Sequence, residues 1–414
     1  MDCTSLFFFC YYFLVVRKKS AHILEIYRKQ TRGCAQGVEM KRKLAIWMAV
    51  LAFWMPASAV QALPEVSSHS ACVIDIDTGR ILGAKNENEK SEPASITKIM
   101  TALVALENAD IQKVVTIPNE AAGVEGSSVY IKAGEKYSLE DLLYGLMLRS
   151  GNDAATAIAI DVAGSVDAFV EKMNEKAQAL GCTGTHFNNP HGLPDDDHYT
   201  TAHDMALIAA AALQNDTFAK IVSTKSYTAE PDGAGETRSW QNKNKLLWQY
   251  EGAIGVKTGY TKSAGKTYVG AAERNGIRVA VVVLGAKDMW GDAAALLDDA
   301  FANYQQVDLI KDAQSTGTTP VLEGLSTEVE GMTEGSLSKT LTKKEQEQIV
   351  TKCVYQSPLY APIAKGEIIG SMQVYLEDEM IGSVPIVAAA DVEAYDFAHC
   401  LNKVVRQWIT NLLP

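Results

Sequence analysis

Glu92-Pro93-Ala94-Ser95-Ile96-Thr97-Lys98-Ile99-Met100 is the stretch from which the fold is read. It sets a hydroxyl and an amine three residues apart at the start of a helix. Pro93 is tolerated there because its missing N–H would have had no partner in a first turn. After it, Ile99, Met100, Leu103, Val104 and Leu106 recur at helical spacing and make one apolar stripe. Positions i and i+3 share a helix face, so Ser95 and Lys98 are within reach of each other. A serine hydroxyl becomes a nucleophile when a base takes its proton. A lysine serves as that base only if burial or a second cation lowers its pKa. The helix N-terminus also favours developing negative charge. Alone, S-x-x-K is a common helix pattern, so the rest of the chain has to decide.

Upstream, residues 70–77 (Ser-Ala-Cys-Val-Ile-Asp-Ile-Asp) read as a strand, Thr78-Gly79-Arg80 as a turn, and Ile81-Leu82-Gly83-Ala84 as the returning strand. A helix so soon after a hairpin is expected to pack on its sheet. Residues 101–181 are mainly helical: Ser138 caps a helix with Asp141 three residues on, and Asp153–Ala163 is a buried helix. Thr201-Ala202-His203-Asp204 opens another, which runs to Leu213. Strands return at Gly255–Gly259, Tyr268–Ala272 and Arg278–Gly285, the last being the strongest β-branched run in the chain. Asp292–Tyr304 closes with a helix. The expected class is α+β, a three-layer α/β/α sandwich in which both ends of residues 63–308 meet in one antiparallel sheet.

The 414 residues leave room for two domains. The net charge of −12 hides an asymmetry: residues 1–62 carry nine Lys/Arg against three Asp/Glu, leaving 29 against 47 for the rest. Such an acidic body argues against nucleic acid as a partner. Met40-Lys41-Arg42-Lys43, the apolar Leu44–Trp54 and the small residues Ala57-Ser58-Ala59 or Val60-Gln61-Ala62 read as a secretory signal. Residues 1–62 are therefore a leader, with Met40 the expected start and 1–39 an upstream extension; a short membrane-inserted start at Leu6–Val16 is the alternative reading. The cysteines Cys72, Cys182, Cys353 and Cys400 show no metal-ligand spacing, and neither a metal nor a cofactor is expected.

From 309 to about 350 the sequence turns to Ser, Thr, Gly, Glu and Lys, which reads as a linker into a small β-rich domain ending near 390. In residues 391–414, Phe397, Leu401, Val404, Val405, Trp408 and Leu412 fall on one helical face. This amphipathic helix is expected to anchor the chain on a membrane surface; a helix packed on the second domain is the plainer alternative.

Two short motifs complete the pattern. Ser150-Gly151-Asn152 lies 55 residues after Ser95, and Lys257-Thr258-Gly259 a further 107 residues on. Each is weak alone, but together and in this order they point to one site. Lys257 is the second cation that keeps Lys98 partly neutral. Ser150 can relay a proton to a leaving amine, and Asn152 can hold a substrate amide. Thr258 offers its hydroxyl to a terminal carboxylate, for which Lys257 supplies charge. Gly259 lets a ligand approach the backbone, and the strand edge can pair with an extended peptide. Backbone N–H groups of Ser95 and Tyr260 are placed to hold an oxyanion.

This triple resembles the penicillin-recognising serine acyl-transferases. More narrowly, with Asn189-Pro190-His191-Gly192-Leu193, the small β domain and the terminal helix, residues 64–414 resemble the low-molecular-mass penicillin-binding proteins of the serine D-alanyl-D-alanine carboxypeptidase family. The resemblance implies a fold like that of serine β-lactamases and penicillin-binding proteins. It implies an extracytoplasmic enzyme on the outer face of the cytoplasmic membrane that removes the last D-alanine from peptidoglycan stem peptides and is acylated by β-lactams. His191 reads as a loop residue that shapes the site. Where relatives place an arginine for the substrate carboxylate this chain has Lys287, which lacks the bidentate fork. Two alternatives share the site: a β-lactamase, and an endopeptidase or transpeptidase. The glutamate pattern of a β-lactamase is missing, since Glu171, Glu175, Glu230, Glu236 and Glu251 have no Asn four residues on. A non-catalytic wall- or penicillin-binding module is the reading of another class, and it predicts loss of Ser95, Lys98 or Lys257.

Overall fold

Alternation along one strand organises the first domain. In the computed structural model, which describes residues 63–412 except Ala234, Ile277–Ala286 runs through the middle of a five-stranded antiparallel sheet. Its Val279, Val281 and Val283 face one side and its Ala280, Val282 and Leu284 the other, all buried. Successive side chains of a strand point to opposite faces, so a strand apolar at every position must be covered on both. We number the sheet's strands β1 (Ser70–Asp75), β2 (Ile81–Lys85), β3 (Ala253–Thr261), β4 (Gly265–Arg274) and β5 (Ile277–Ala286), in the spatial order β2-β1-β5-β4-β3. Residue Ser70 pairs with Leu284 and Asp75 with Val279, so the two ends of this domain meet as expected.

One face of the sheet carries the helices α1 (Lys98–Asn108), α2 (Asn152–Ala163) and α3 (Ala202–Leu213); the other carries α4 (Met289–Asn303). This is the three-layer α/β/α sandwich. Ser138 accepts from the Asp141 N–H, and the Asp141 carboxylate accepts from the Ser138 N–H, the reciprocal cap anticipated from sequence. Strand β3 is outermost on its side, and the turn Ala94–Thr97 before α1 packs against it. The site is built along that edge.

The stretch 309–350, expected as a linker, is strand for most of its length. Tyr304–Ile310 (β6), Ser315–Leu322 (β7), Glu328–Thr333 (β8) and Leu337–Thr342 (β9) precede Ile349–Tyr355 (β10), Leu359–Tyr360 (β11), Ile368–Leu376 (β12) and Glu379–Ala388 (β13). Six of them form one sheet in the order β10-β12-β13-β8-β7-β11, and β6 pairs with β9. The polar composition misleads because threonine is itself a good strand former. Here Thr319, Thr333 and Thr340 are buried, while alternate positions such as Glu328 and Glu330 face water. The final helix, α5, spans Phe397–Leu412. Residues 1–62, where the secretory-signal reading falls, lie outside the described residues.

Ile74 is fully buried where β1 meets the helical layer. Shortening it to alanine should cost about 2–5 kcal/mol of stability, read as a lower denaturant midpoint for this domain.

Candidate active site

Ser95 sits in a 3₁₀ turn, Ala94–Thr97, that runs directly into α1 at Lys98. In such a turn residues i and i+3 eclipse, which is closer than an α-helix would bring them. Lys98 Nζ lies 3.1 Å from Ser95 Oγ and 2.7 Å from Asn152 Oδ1, and it also meets the carbonyl oxygen of His191. Two of these three partners are carbonyl oxygens and can only accept. A neutral amine has two N–H groups and one lone pair. The two carbonyls take the N–H groups, which leaves the lone pair facing the one partner with a hydrogen to give, Ser95. The fold thus orients the Lys98 lone pair toward Ser95.

The electrostatics favour that neutral form. Lys98 is fully buried, and its pKa is held well below the usual lysine value, first by burial and then by the charges of Lys257 and Lys243; Asp153 opposes them. Lys257, on β3, is 2% exposed and is lowered to about 7, by burial and then by Lys243. Lys243 is itself lowered, by partial desolvation and by Arg149. The expected pair of lysines is therefore part of a wider group of cations.

The Ser150-Gly151-Asn152 corner is set by backbone geometry. A π-type turn, Gly145–Arg149, ends in Ser150 with a left-handed φ of 70°, and Asn152 begins α2. Such turns and left-handed non-glycine residues concentrate at functional sites. Asp153 holds the corner from behind: its buried carboxylate accepts from the N–H groups of Val129 and Ile131 and from Ser128 Oγ. Asn152 Nδ2 donates to the Glu125 carbonyl, which turns its Oδ1 toward Lys98. Ser150 Oγ is buried with no hydrogen-bond partner among the described residues.

On the opposite wall, Lys257 Nζ donates to the Thr258 carbonyl at 2.8 Å. Gly259 is where β3 touches the Ser95 turn: a Cβ there would stand 3.0 Å from Ser95 N and 2.3 Å from Thr267 Oγ1. Only glycine fits. The same hairpin is tied to the residues before Ser95, because Thr267 Oγ1 donates to the Pro93 carbonyl at 2.9 Å and Ser263 Oγ donates to Glu92. A half-buried Ser95 beside a lysine shifted toward its neutral form, a cationic wall and an open strand edge suits acyl transfer from an extended peptide.

Residues 57–288 match the family of D-alanyl-D-alanine carboxypeptidases, more than half of the 414-residue chain. The chain belongs to that family. Residues 304–394 match the C-terminal domain of penicillin-binding protein 5. The D-alanyl-D-alanine carboxypeptidase DacF of Bacillus subtilis (strain 168) is 33% identical over 389 residues, covering 89% of this chain and 99% of the relative. DacA of Escherichia coli (strain K12) is 30% identical, covering 82% and 87%. Among solved structures, penicillin-binding protein 5 from Haemophilus influenzae is similar with a TM-score of 0.65 and 31% identity, covering 80% of this chain and 98% of that one. The chain is thus a serine-type D-alanyl-D-alanine carboxypeptidase with a penicillin-binding-protein fold. Members of the family are extracytoplasmic enzymes of the cell wall.

In this carboxypeptidase the hydrogen bonds gather Ser95, Lys98 and Asn152, and Gly259 abuts Ser95. Thr258 is half-buried on β3, and the side chain of Tyr260 is 67% exposed at the strand's end. Lys287 lies just past β5, exposed; its N–H donates to Ser67 Oγ, and its carbonyl accepts from Lys266 Nζ. Those bonds use its backbone and do not join it to the Ser95 group. The sequence reading missed Lys243, Arg149, Asp153 and the His191 carbonyl as parts of the site. Asp153 adjoins the second motif, a signal that could have been used. Lys243 sits in an Asn-Lys-Asn-Lys loop with no signal at all.

Removing one cation should make the protonated form of Lys98 easier to hold and so raise its pKa. In Lys243→Ala the acid limb of the pH profile of penicillin acylation is expected to move to higher pH. An unmoved limb would show that Lys243 does not act on Lys98.

Proposed function

We propose that the carboxypeptidase works through an acyl-enzyme on Ser95, formed on the penultimate D-alanine carbonyl of a peptidoglycan stem peptide ending in D-Ala-D-Ala. Lys98 takes the Ser95 proton as Oγ bonds to the carbonyl carbon. The negative oxygen is held by the N–H groups of Ser95 and Tyr260. Ser150 passes its proton to the departing D-alanine nitrogen as the C–N bond breaks and takes in its place the proton held by Lys98, which returns the lysine to its neutral form. Water then attacks the ester carbonyl, Lys98 takes its proton, and Ser95 Oγ leaves with a proton restored. Asn152 holds the substrate amide, and Thr258 and Lys257 receive the terminal carboxylate, with Lys287 a further cation toward that end of the sheet. The observation that carries this reading is the set of partners at Lys98 Nζ, which leaves its lone pair for Ser95. β-Lactams acylate the same serine because their ring amide presents the same carbonyl.

A second reading shares every step up to the acyl-enzyme. The Streptomyces K15 DD-transpeptidase is similar to this chain with a TM-score of 0.55 and 36% identity, covering 58% of this chain. An amine in place of water would make the same site a transpeptidase.

The reading extends to location. A secretory signal in residues 1–62 would deliver the enzyme outside the cytoplasmic membrane, and α5 would hold it there. Phe397, Leu401, Val404, Val405 and Ile409 are exposed at helical spacing on this 16-residue helix. Among the described residues no helix is long and apolar enough to cross a membrane, so α5 would lie in the interface.

Penicillin should add once to the purified protein, with the adduct located on Ser95 by mass spectrometry, and Ser95→Ala should take up none. An adduct in Ser95→Ala would refute the assignment. Stem pentapeptide incubated with and without a glycine acceptor should release D-alanine to water; a transpeptidated product in excess would favour the second reading. Full-length protein should sediment with anionic vesicles and a chain lacking residues 391–414 should not. Equal sedimentation would contradict the anchor.

A further inference from the structure

Behind the nucleophile's turn runs a buried chain of hydrogen bonds that the steps above do not use. The N–H of Asn188 donates to His198 Nδ1 at 2.9 Å, His198 Nε2 lies 2.8 Å from Thr97 Oγ1, and Thr97 Oγ1 donates to the Ala94 carbonyl at 2.9 Å. Ala94, Thr97 and His198 are 1%, 0% and 2% exposed, so water does not compete for these partners. The direction of each hydrogen follows from the two ends. A backbone N–H can only donate, so Nδ1 is the bare nitrogen and Nε2 carries the hydrogen. A carbonyl can only accept, so Thr97 gives its own hydrogen to Ala94 and receives the one from His198. Burial holds this imidazole neutral, with its pKa lowered to about 4.

Ala94 precedes Ser95 and has a φ of 52°, in the left-handed region that residues with a Cβ seldom occupy. Such a conformation persists where its surroundings over-determine it. Thr97 supplies one constraint and Gly192 the other: with a φ of 85°, Gly192 packs so closely that a Cβ would stand 1.8 Å from the Ala94 oxygen. The Ala94–Ser95 peptide is planar and trans, so its C=O and N–H point in opposite directions. Whatever fixes the Ala94 oxygen therefore aims the Ser95 N–H. That N–H nitrogen is the one that stands against Gly259 of β3, where the oxyanion is to form.

We infer that His198 is a positioning residue for the oxyanion hole. It acts through Thr97 and the Ala94–Ser95 peptide to aim the Ser95 N–H at the oxygen that becomes negative. A donor into Thr97 Oγ1 occupies the hydroxyl's lone pair and commits its hydrogen to Ala94; without that donor the hydroxyl can rotate. The inference rests on Ser95 as the nucleophile.

The test follows penicillin acylation and deacylation of the full-length chain, with rate constants taken per labelled site so that any unfolded fraction drops out. Thr97→Val keeps the shape and removes the hydrogen given to Ala94. Both rate constants should fall about 10- to 100-fold, since an oxyanion forms in each step, while the dissociation constant of the non-covalent complex stays at the parental value. Thr97→Ser should recover most of the loss. His198→Leu should fall in the same way, and His198→Gln, whose amide can put an N–H where Nε2 stands, should recover most of it. The double variant Thr97→Val/His198→Leu should lose no more than its worse single, because both break one chain. A parental acylation rate in Thr97→Val, a loss confined to the dissociation constant, or multiplied losses in the double variant would overturn the inference. Should Thr97→Val not fold, equal rates in His198→Leu and His198→Gln would overturn it as well. A parental chain that takes no label would refute the nucleophile and not His198.

Discussion

The lone pair of Lys98 has one direction in which to point, and the site is built to keep it so. Two carbonyl oxygens, one from the Asn152 side chain and one from the His191 backbone, take the two hydrogens of the neutral amine. Burial and the charges of Lys257 and Lys243 shift Lys98 toward the neutral form. The three partners come from three separate parts of the chain: the 3₁₀ turn before α1, the start of α2, and the loop before α3. The sandwich exists, for this chemistry, to bring those three to one nitrogen. A shift of any of them by the width of a hydrogen bond would let the lone pair turn away from Ser95.

The sheet contributes the other half. Its edge strand β3 supplies Lys257 and Gly259, and the hairpin that follows is pinned to Glu92 and Pro93, just before Ser95. Lys98 and the strand edge thus share a fixed frame, with the Ala94–Ser95 peptide between them. Loop 188–198 grips that frame twice, through the His191 carbonyl on Lys98 and through His198 and Thr97 on Ala94.

Much of this was legible beforehand, for physical reasons. The run Arg278–Gly285 is apolar at every position, which fits only a strand covered on both faces, and the stripe Ile99 to Leu106 has the period of a helix. Ser95, Lys98 and Asn152, which the hydrogen bonds gather, each carry side-chain chemistry that marks them in the sequence. What stayed hidden was of another kind. The His191 oxygen is a backbone atom, and every residue has one. Lys243 matters through distance alone, and a lysine in a polar loop looks the same whether it faces water or another cation. Residues 309–350 looked like a linker because several of their inward positions are threonines, whose hydroxyls suit a loop and whose branched Cβ suits a strand equally well.

The central claim is that Lys98 is neutral in the resting enzyme. Lysine labelled with carbon-13 at Cε, followed by NMR across pH and assigned by comparison with Lys98→Arg, reads that protonation directly. The account predicts that the Lys98 signal titrates well below the exposed lysines, and lower than it does in Lys243→Ala. A Lys98 signal that titrates together with the exposed lysines, near the ordinary lysine value of 10.5, would contradict it.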